Sequence, residues 1–364
     1  MSNAKIFVFA PVEFSTASGE KEKVGNPLEK LVAEGCEIVE GTASWHTPQG
    51  NNEDEMCVFA ENADALTGSS IRSSPITRKI MESSDRLRIV AKYTVGYDDV
   101  DVEAATDLGI LVTNSPTEAN WGGVAEGTVA MMLTILKKVR ERDEAMKAGK
   151  WRHPSQQGIF LGTRLEDCAE GITLGIIGLG RIGRRVATLL APWRIKILAY
   201  DPFVERARFT LHNVIETDLD TLLAESDVVT LHVALTDSSR KMINSKTLAK
   251  MKPSAILLNT SRGAVVDEKA LVAVLENETI AAAALDVFED EPLAKNSPLL
   301  KLGHKVLLAP HMVSGNSNAG LFPGVVWAVE CIENALKGEV PESVINQEIL
   351  PRWRQRFGNK AIIG

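Results

Sequence analysis

The sequence predicts an α/β protein built from two doubly wound, Rossmann-like domains with parallel sheets. Three observations carry that expectation. Short apolar runs of strand length alternate with helix-periodic stretches along most of the 364 residues, the pattern of a parallel sheet covered on both faces. One segment, Ile172 to Asp201, reads as strand, glycine turn, helix, strand and a terminal acid. The last apolar helix, Leu321 to Leu336, has no partner once the strands counted from Ile172 complete a sheet, so it is expected to pack on the N-terminal part. The first domain is then discontinuous, formed by residues 1–117 and 318–364, with the second domain spanning 118–317.

In chain order, Ile6–Phe9 reads as the opening strand and Pro27–Glu34 as a short helix. Cys36–Val39 and Met56–Phe59 are strand candidates, and the stretches 12–26 and 41–55 are loops whose role the sequence leaves open. Ala65–Leu66 is a brief strand, Ile76–Ser83 a helix, Leu87–Ala91 a buried strand, Val102–Leu108 a helix and Ile110–Thr113 a strand. Ala125, Val129, Met132, Leu133 and Leu136 fall on one face of a long helix running to about Ala148. After the segment ending at Asp201, helices over Leu219–Glu225, Ser245–Met251 and Glu268–Leu275 alternate with strands over Val228–Leu231, Ala255–Leu258, Ala281–Leu285 and Val306–Leu308. That gives about six parallel strands in the second domain.

A hydrophobic content of 45% and a charged content of 24% are those of a soluble globular protein. A net charge of −8 supplies no basic excess for nucleic acid or an anionic membrane surface. No stretch reaches the roughly 18 apolar residues of a membrane helix. The four cysteines, Cys36, Cys57, Cys168 and Cys331, lie far apart and lack metal-ligand spacing, so buried reduced thiols, no metal and a cytoplasmic setting are expected.

The glycine turn is Gly178-Leu-Gly180-Arg-Ile-Gly183. Gly178 allows the sharp turn, Gly180 lets a pyrophosphate approach the backbone, and Gly183 lets helix and strand pack closely. A purely structural glycine turn is the competing reading. Asp201, positioned to accept ribose hydroxyls and repel a 2′-phosphate, favours a dinucleotide and NAD over NADP. Three further polar groups follow strand ends, where an open parallel sheet delivers side chains to its carboxyl edge: Arg262, Glu291 and His311. Each has a bland alternative, as a surface arginine, a member of a solvated acidic cluster and a structural histidine. Together they supply what reduction of a 2-keto acid needs. Arg262 clamps the carboxylate, His311 donates the proton that accompanies hydride addition, and Glu291 fixes the tautomer of the imidazole.

The segments GLGRIG, AYDP, HVALT, NTSRGAVVD, ALDVFEDEP and APHM, in this order, resemble the D-isomer-specific 2-hydroxyacid dehydrogenases, as do YTVGYDDVD, NSPTEAN and VAEGT upstream. The resemblance implies NAD in a cleft between two domains, a small 2-keto or 2-hydroxy acid as substrate, and a homodimer formed through the nucleotide domain. It implies Arg262, Glu291 and His311 as the catalytic set and backbone amides of Val95 and Gly96 at the substrate carboxylate. Arg181, Ile182, Asp201, Val233, Thr260, Ser261 and Asp286 would line the cofactor, with Thr128 as a further candidate. Two positions depart from the family pattern: Gly127 replaces the usual His after VAE, and Ala234 the usual Pro of HVPLT. The alternative is a non-enzymatic dinucleotide-sensing partner, like the corepressors built on the same fold. A methyltransferase-like protein leaves the carboxylate clamp and the acid/base residues without purpose.

Overall fold

The computed structural model describes residues 3–11, 26–42, 50–69, 74–316 and 320–364; the stretches 12–25 and 43–49, which make up most of the two N-terminal loops, lie outside them. The chain forms two compact units. The first comprises Met1–Trp121 and Gly315–Gly364, the second Gly122–Ser314. The chain passes between units after Trp121 rather than after residue 117, and returns at Gly315 rather than 318.

In the first unit, strands β1 (Lys5–Ala10), β2 (Glu37–Glu40), β3 (Ala65–Gly68), β4 (Ile89–Lys92) and β5 (Leu111–Thr113) form a parallel sheet in the order β2-β1-β3-β4-β5. Its strands are nearly continuous apolar runs because both faces are covered. On one face the helix Phe322–Lys337 buries Val325, Ala328, Val329, Ile332 and Leu336 against Ile6, Val8, Ile89 and Ala91. Each valine, isoleucine or leucine among them contributes roughly 1.5–3 kcal/mol on leaving water. The other face packs Phe7, Phe9 and Leu66 against Met56, Ile80 and Ala104 from three short helices.

The second unit holds β6 (Thr173–Ile177), β7 (Lys196–Tyr200), β8 (Ile215–Glu216), β9 (Val228–Leu231), β10 (Ile256–Asn259), β11 (Ala282–Leu285) and β12 (Val306–Leu308). All are parallel, in the order β12-β11-β10-β9-β6-β7-β8. The strand order reverses beside β6, so the connections leaving β6 and β9 run to opposite sides of the sheet, the arrangement that opens a crevice at the carboxyl ends of open parallel sheets.

Four expectations need correction. Met56–Phe59 is helical, within Glu53–Ala60. Asn52 caps that helix through its side chain and Glu55 returns the bond, so a capping box outweighs the short apolar run. The long helix is two, Glu118–Leu136 and Val139–Lys147, broken where Lys138 takes a left-handed conformation at φ 55°. The second sheet has seven strands rather than six, because the two-residue β8 and the helix Arg206–Leu211 precede β9. Finally, Cys168 is exposed and Cys57 half-buried; only Cys36 and Cys331 are buried, and burial raises each of those thiols to about 11. Among the described residues no helix is long and apolar enough to cross a membrane, and no cluster of His, Cys, Asp or Glu could hold a metal ion.

Candidate active site

Backbone pairing runs past the strand ends of the second sheet and sets its polar residues in a row. Gly178 N–H donates to Tyr200 O at 2.9 Å, and His232 N–H donates to Ile177 O at 2.8 Å. Asp286 N–H donates to Asn259 O at 3.0 Å, and His311 N–H to Asp286 O at 2.8 Å. The carboxyl edge thus carries His311, Asp286, Thr260, His232, Gly178 and Asp201 at the ends of neighbouring strands.

The three glycines of the turn have separate causes. Gly178 sits at φ +94°, and a Cβ there would lie 2.6 Å from His232 O. A Cβ on Gly183 would lie 2.2 Å from Gly178 O. At Gly180 φ is −71° and an added Cβ meets no atom within 4 Å, so nothing in the fold requires glycine there. Gly180 opens the helix Arg181–Leu190, whose first turn has no side-chain cap. That leaves backbone N–H groups and the positive end of the helix dipole for an anion. Arg181 is exposed and Ile182 half-buried. Asp201 closes the turn from β7: Oδ2 accepts from Leu179 N–H at 2.8 Å and Oδ1 from Phe203 N–H at 3.0 Å. Each carboxylate oxygen has a second acceptor site.

At the end of β10 the Asn259 side chain folds the next turn. Its Oδ1 accepts from Ser261 N–H at 3.1 Å and Ser261 Oγ at 2.8 Å, while Nδ2 donates to Arg262 O at 2.9 Å. The Arg262 guanidinium donates to Ser261 O at 2.6 Å. Thr260 and Thr128 share a buried hydroxyl pair at 2.8 Å, so Thr128 supports Thr260 from the neighbouring helix. Val233 is half-buried, with Cγ1 2.9 Å from where a Cβ on Gly178 would stand.

A histidine–carboxylate pair joins the segments that follow β11 and β12. His311 Nδ1 lies 2.8 Å from Glu291 Oε2, and Glu291 Oε1 accepts from Phe288 N–H at 3.0 Å. The carboxylate is mostly covered, with 13% of its side chain exposed against 44% for the imidazole, so the buried partner fixes a reachable ring. Asp286 is buried and grips the same segment: its oxygens accept from Met312 N–H at 2.9 Å and Val313 N–H at 3.1 Å. Burial raises the Asp286 pKa above the ordinary carboxylate range, although those two amides oppose the shift.

Val95 and Gly96 belong to the first unit, in the turn after β4. Asn114 Nδ2 donates to Val95 O at 2.7 Å, Thr94 Oγ1 to Gly96 O at 2.8 Å, and Ser115 N–H to Thr94 O at 3.0 Å. The three carbonyls are held by local donors, which sets the path of the turn.

Sequence reasoning missed two supports of this arrangement. Gly263 is obligatory, since a Cβ there would lie 1.8 Å from Phe288 O. Its signal was the glycine after Arg262, read only as context for the arginine. Gly127 carries the second: a Cβ would lie 2.4 Å from Val313 O, so the segment after His311 occupies the space a larger residue would fill.

A nucleotide-type parallel sheet with an uncapped glycine-turn helix and an oriented Glu–His pair defines a nicotinamide-dinucleotide oxidoreductase class. Residues 129–313 match the family model described as D-isomer specific 2-hydroxyacid dehydrogenase, NAD binding domain. A glyoxylate reductase of Thermofilum pendens is 38% identical over 334 residues, 90% of this chain and 93% of that protein. A D-3-phosphoglycerate dehydrogenase of Synechocystis is 36% identical over 86% of this chain, which spans only 54% of that protein's length. Among solved structures, the D-lactate dehydrogenase of Aquifex aeolicus, complexed with NAD and lactic acid, superposes with a TM-score of 0.73 at 26% identity, covering 96% of this chain and 98% of that one. The chain belongs to the D-isomer specific 2-hydroxyacid dehydrogenase family and is an oxidoreductase of that class. The non-enzymatic alternative finds no support in relatives named for reductase and dehydrogenase activities.

Proposed function

We propose that the protein is an NAD-dependent (R)-2-hydroxyacid dehydrogenase that works as a 2-keto acid reductase, with Arg262, Glu291 and His311 as its catalytic residues. The observation that carries this reading is the 2.8 Å contact between His311 Nδ1 and Glu291 Oε2. With Nδ1 engaged by the carboxylate, Nε2 is the atom that delivers a proton to the carbonyl oxygen or takes one from the hydroxyl. The mostly covered Glu291 carboxylate holds the ring in that tautomer and orientation. Arg262 pairs with the substrate carboxylate through its planar fork and polarises the adjacent carbonyl. Backbone N–H groups of Val95 and Gly96 bind the same carboxylate. A bound nicotinamide would supply the hydride chemistry at substrate C2.

Gly178, Gly180, Arg181, Ile182 and Gly183 would hold the pyrophosphate. The open space at Gly180 and the uncapped helix behind it support that assignment. Asp201 would accept the adenosine ribose hydroxyls, and its charge disfavours NADP. Val233, Thr260, Ser261 and Asp286 would line the rest, with Thr128 bracing Thr260. A homodimer formed through the nucleotide unit is supported by Trp151, Ile159, Phe160 and Leu165, large apolar side chains exposed in one stretch of it.

The test is oxidation of NADH and NADPH with glyoxylate, hydroxypyruvate, pyruvate and bulkier 2-keto acids. Turnover of at least one of them with NADH favoured over NADPH is expected. A broad panel without turnover removes the assignment, and a preference for NADPH removes the role given to Asp201.

A further inference from the structure

The acidic run Glu289-Asp290-Glu291 contains a second carboxylate that the proposed chemistry does not use, and its contacts are specific. Glu289 N–H donates to Glu268 Oε2 at 3.2 Å, and Glu268 N–H donates to Glu289 Oε1 at 3.3 Å. Each side chain thus holds the other's backbone, a reciprocal pair across two loops. Glu268 opens the helix Glu268–Glu276 that follows the Arg262 turn, and Glu289 lies two residues before Glu291. Lys241, in the connection after β9, pairs with one member: its Nζ lies 3.1 Å from Glu289 Oε1 and also 3.8 Å from Asp267 Oδ2. The Lys241 backbone N–H also donates to Ala264 O at 2.8 Å. Between the same loops Gly263 abuts Phe288, whose N–H donates to Glu291. A line of contacts therefore runs from Lys241 and Glu268, which both meet Glu289, along the chain to Phe288 and on to Glu291 and His311.

The geometry points to Glu289 as a positioning residue. Its bracket with Glu268, with Lys241 paired to Glu289, fixes the spacing between the turn that presents Arg262 and the loop that presents Glu291 to His311. Solvated carboxylates on an acidic surface have no reason to exchange backbone hydrogen bonds in pairs, and the lysine offsets the like charge that Glu289 brings to Glu268. This inference rests on the catalytic roles proposed above for Arg262, Glu291 and His311. Its physical basis is that small misplacements of a catalytic group from a distance lower the rate by up to about 10²-fold.

The test uses the full chain with the keto acid turned over fastest in the panel above. In Glu289→Ala, kcat falls by about tenfold or more and the acid limb of the kcat–pH profile moves. The Kd for NADH and the thermal midpoint stay near wild type. Glu289→Gln keeps an oxygen for the Glu268 amide but loses the ion pair, and it restores most of the rate. Glu268→Ala lowers kcat similarly, and the double Ala variant is little worse than either single one, as for residues acting as one unit. The bracket is overturned if Glu289→Ala keeps wild-type kcat and pH profile. It is equally overturned if the loss is matched by a fall in NADH affinity or thermal midpoint that Glu289→Gln does not reverse. His311→Ala separates the two levels: if it abolishes turnover while Glu289→Ala keeps the wild-type rate, the catalytic reading stands and the bracket falls; if His311→Ala keeps the wild-type rate, the catalytic reading itself falls.

Discussion

Gly263 and His232 show how single residues set the limits of this site. An alanine at 263 drives its Cβ into the Phe288 carbonyl, 1.8 Å away, and the backbone has no means to yield without moving the loop that carries Glu291. Gly263→Ala is therefore expected to lose about 1–3 kcal/mol of stability and most of its kcat; a thermal melt and a turnover assay on the same preparation check both. His232 matters through pH. Its Nε2 lies 3.0 Å from Thr230 Oγ1, while Nδ1 is enclosed with no hydrogen-bond partner among the described residues. Burial lowers its pKa from 6.5 to about 3, so the folded ring stays neutral while the unfolded ring takes up a proton. Stability is full above about pH 6.5 and declines as pH falls toward 3. The residue is partly exposed by area, which keeps the loss below that of complete burial. Thermal midpoints measured from pH 7.5 to 4.5 should fall for the wild type and fall less for His232→Asn. At this scale the sequence was readable wherever a residue type has one chemical use: Asp201 after a strand, His311 after Pro310, Arg262 before a glycine. It did not disclose the purpose of Gly127, Gly263 and Glu289, which lies in contacts with residues distant in the chain.

The helix Glu53–Ala60 shows what decides an element. Four apolar-leaning residues, Met56 to Phe59, fit a strand as well as a helix, because periodicity cannot separate such short runs. The deciding information sat just upstream, in Asn52 and Glu55. Asn52→Ala should cost about 1 kcal/mol, read as a shift in the denaturant midpoint at constant slope. Lys138 makes the opposite point. A left-handed lysine between two helices is a local cost that the long apolar stripe gave no warning of. Lys138→Gly relieves it and is expected to stabilise by roughly 1 kcal/mol. β8 escaped notice because two exposed residues carry no alternation to detect. Strands β1, β4, β6, β9 and β10 were legible because parallel strands buried on both faces must be unbroken apolar runs.

At the scale of the molecule, two parallel sheets are completed by segments far away in sequence. The helix Leu350–Phe357, absent from the sequence reading, places Trp353 and Phe357 in the core of the first unit, and Trp353 Nε1 donates to Arg88 O at 3.0 Å. Arg88 is buried and donates in turn to Ala335 O and Lys360 O, tying the start of β4 to the returning chain. Its four charged or amide residues, Arg352, Arg354, Gln355 and Arg356, mask a buried face only two aromatic residues wide, which is why composition alone did not reveal it. Trp353→Ala should cost about 3–5 kcal/mol, measured by denaturant unfolding. The central claim concerns the other unit, that a glutamate-oriented histidine carries the proton of keto-acid reduction. Its most direct measurement is single-turnover NADH oxidation by His311→Ala beside the wild type, with NADH affinity determined for both. The account predicts a rate lower by roughly 10²–10⁴ with NADH affinity unchanged. A wild-type rate in the variant contradicts it.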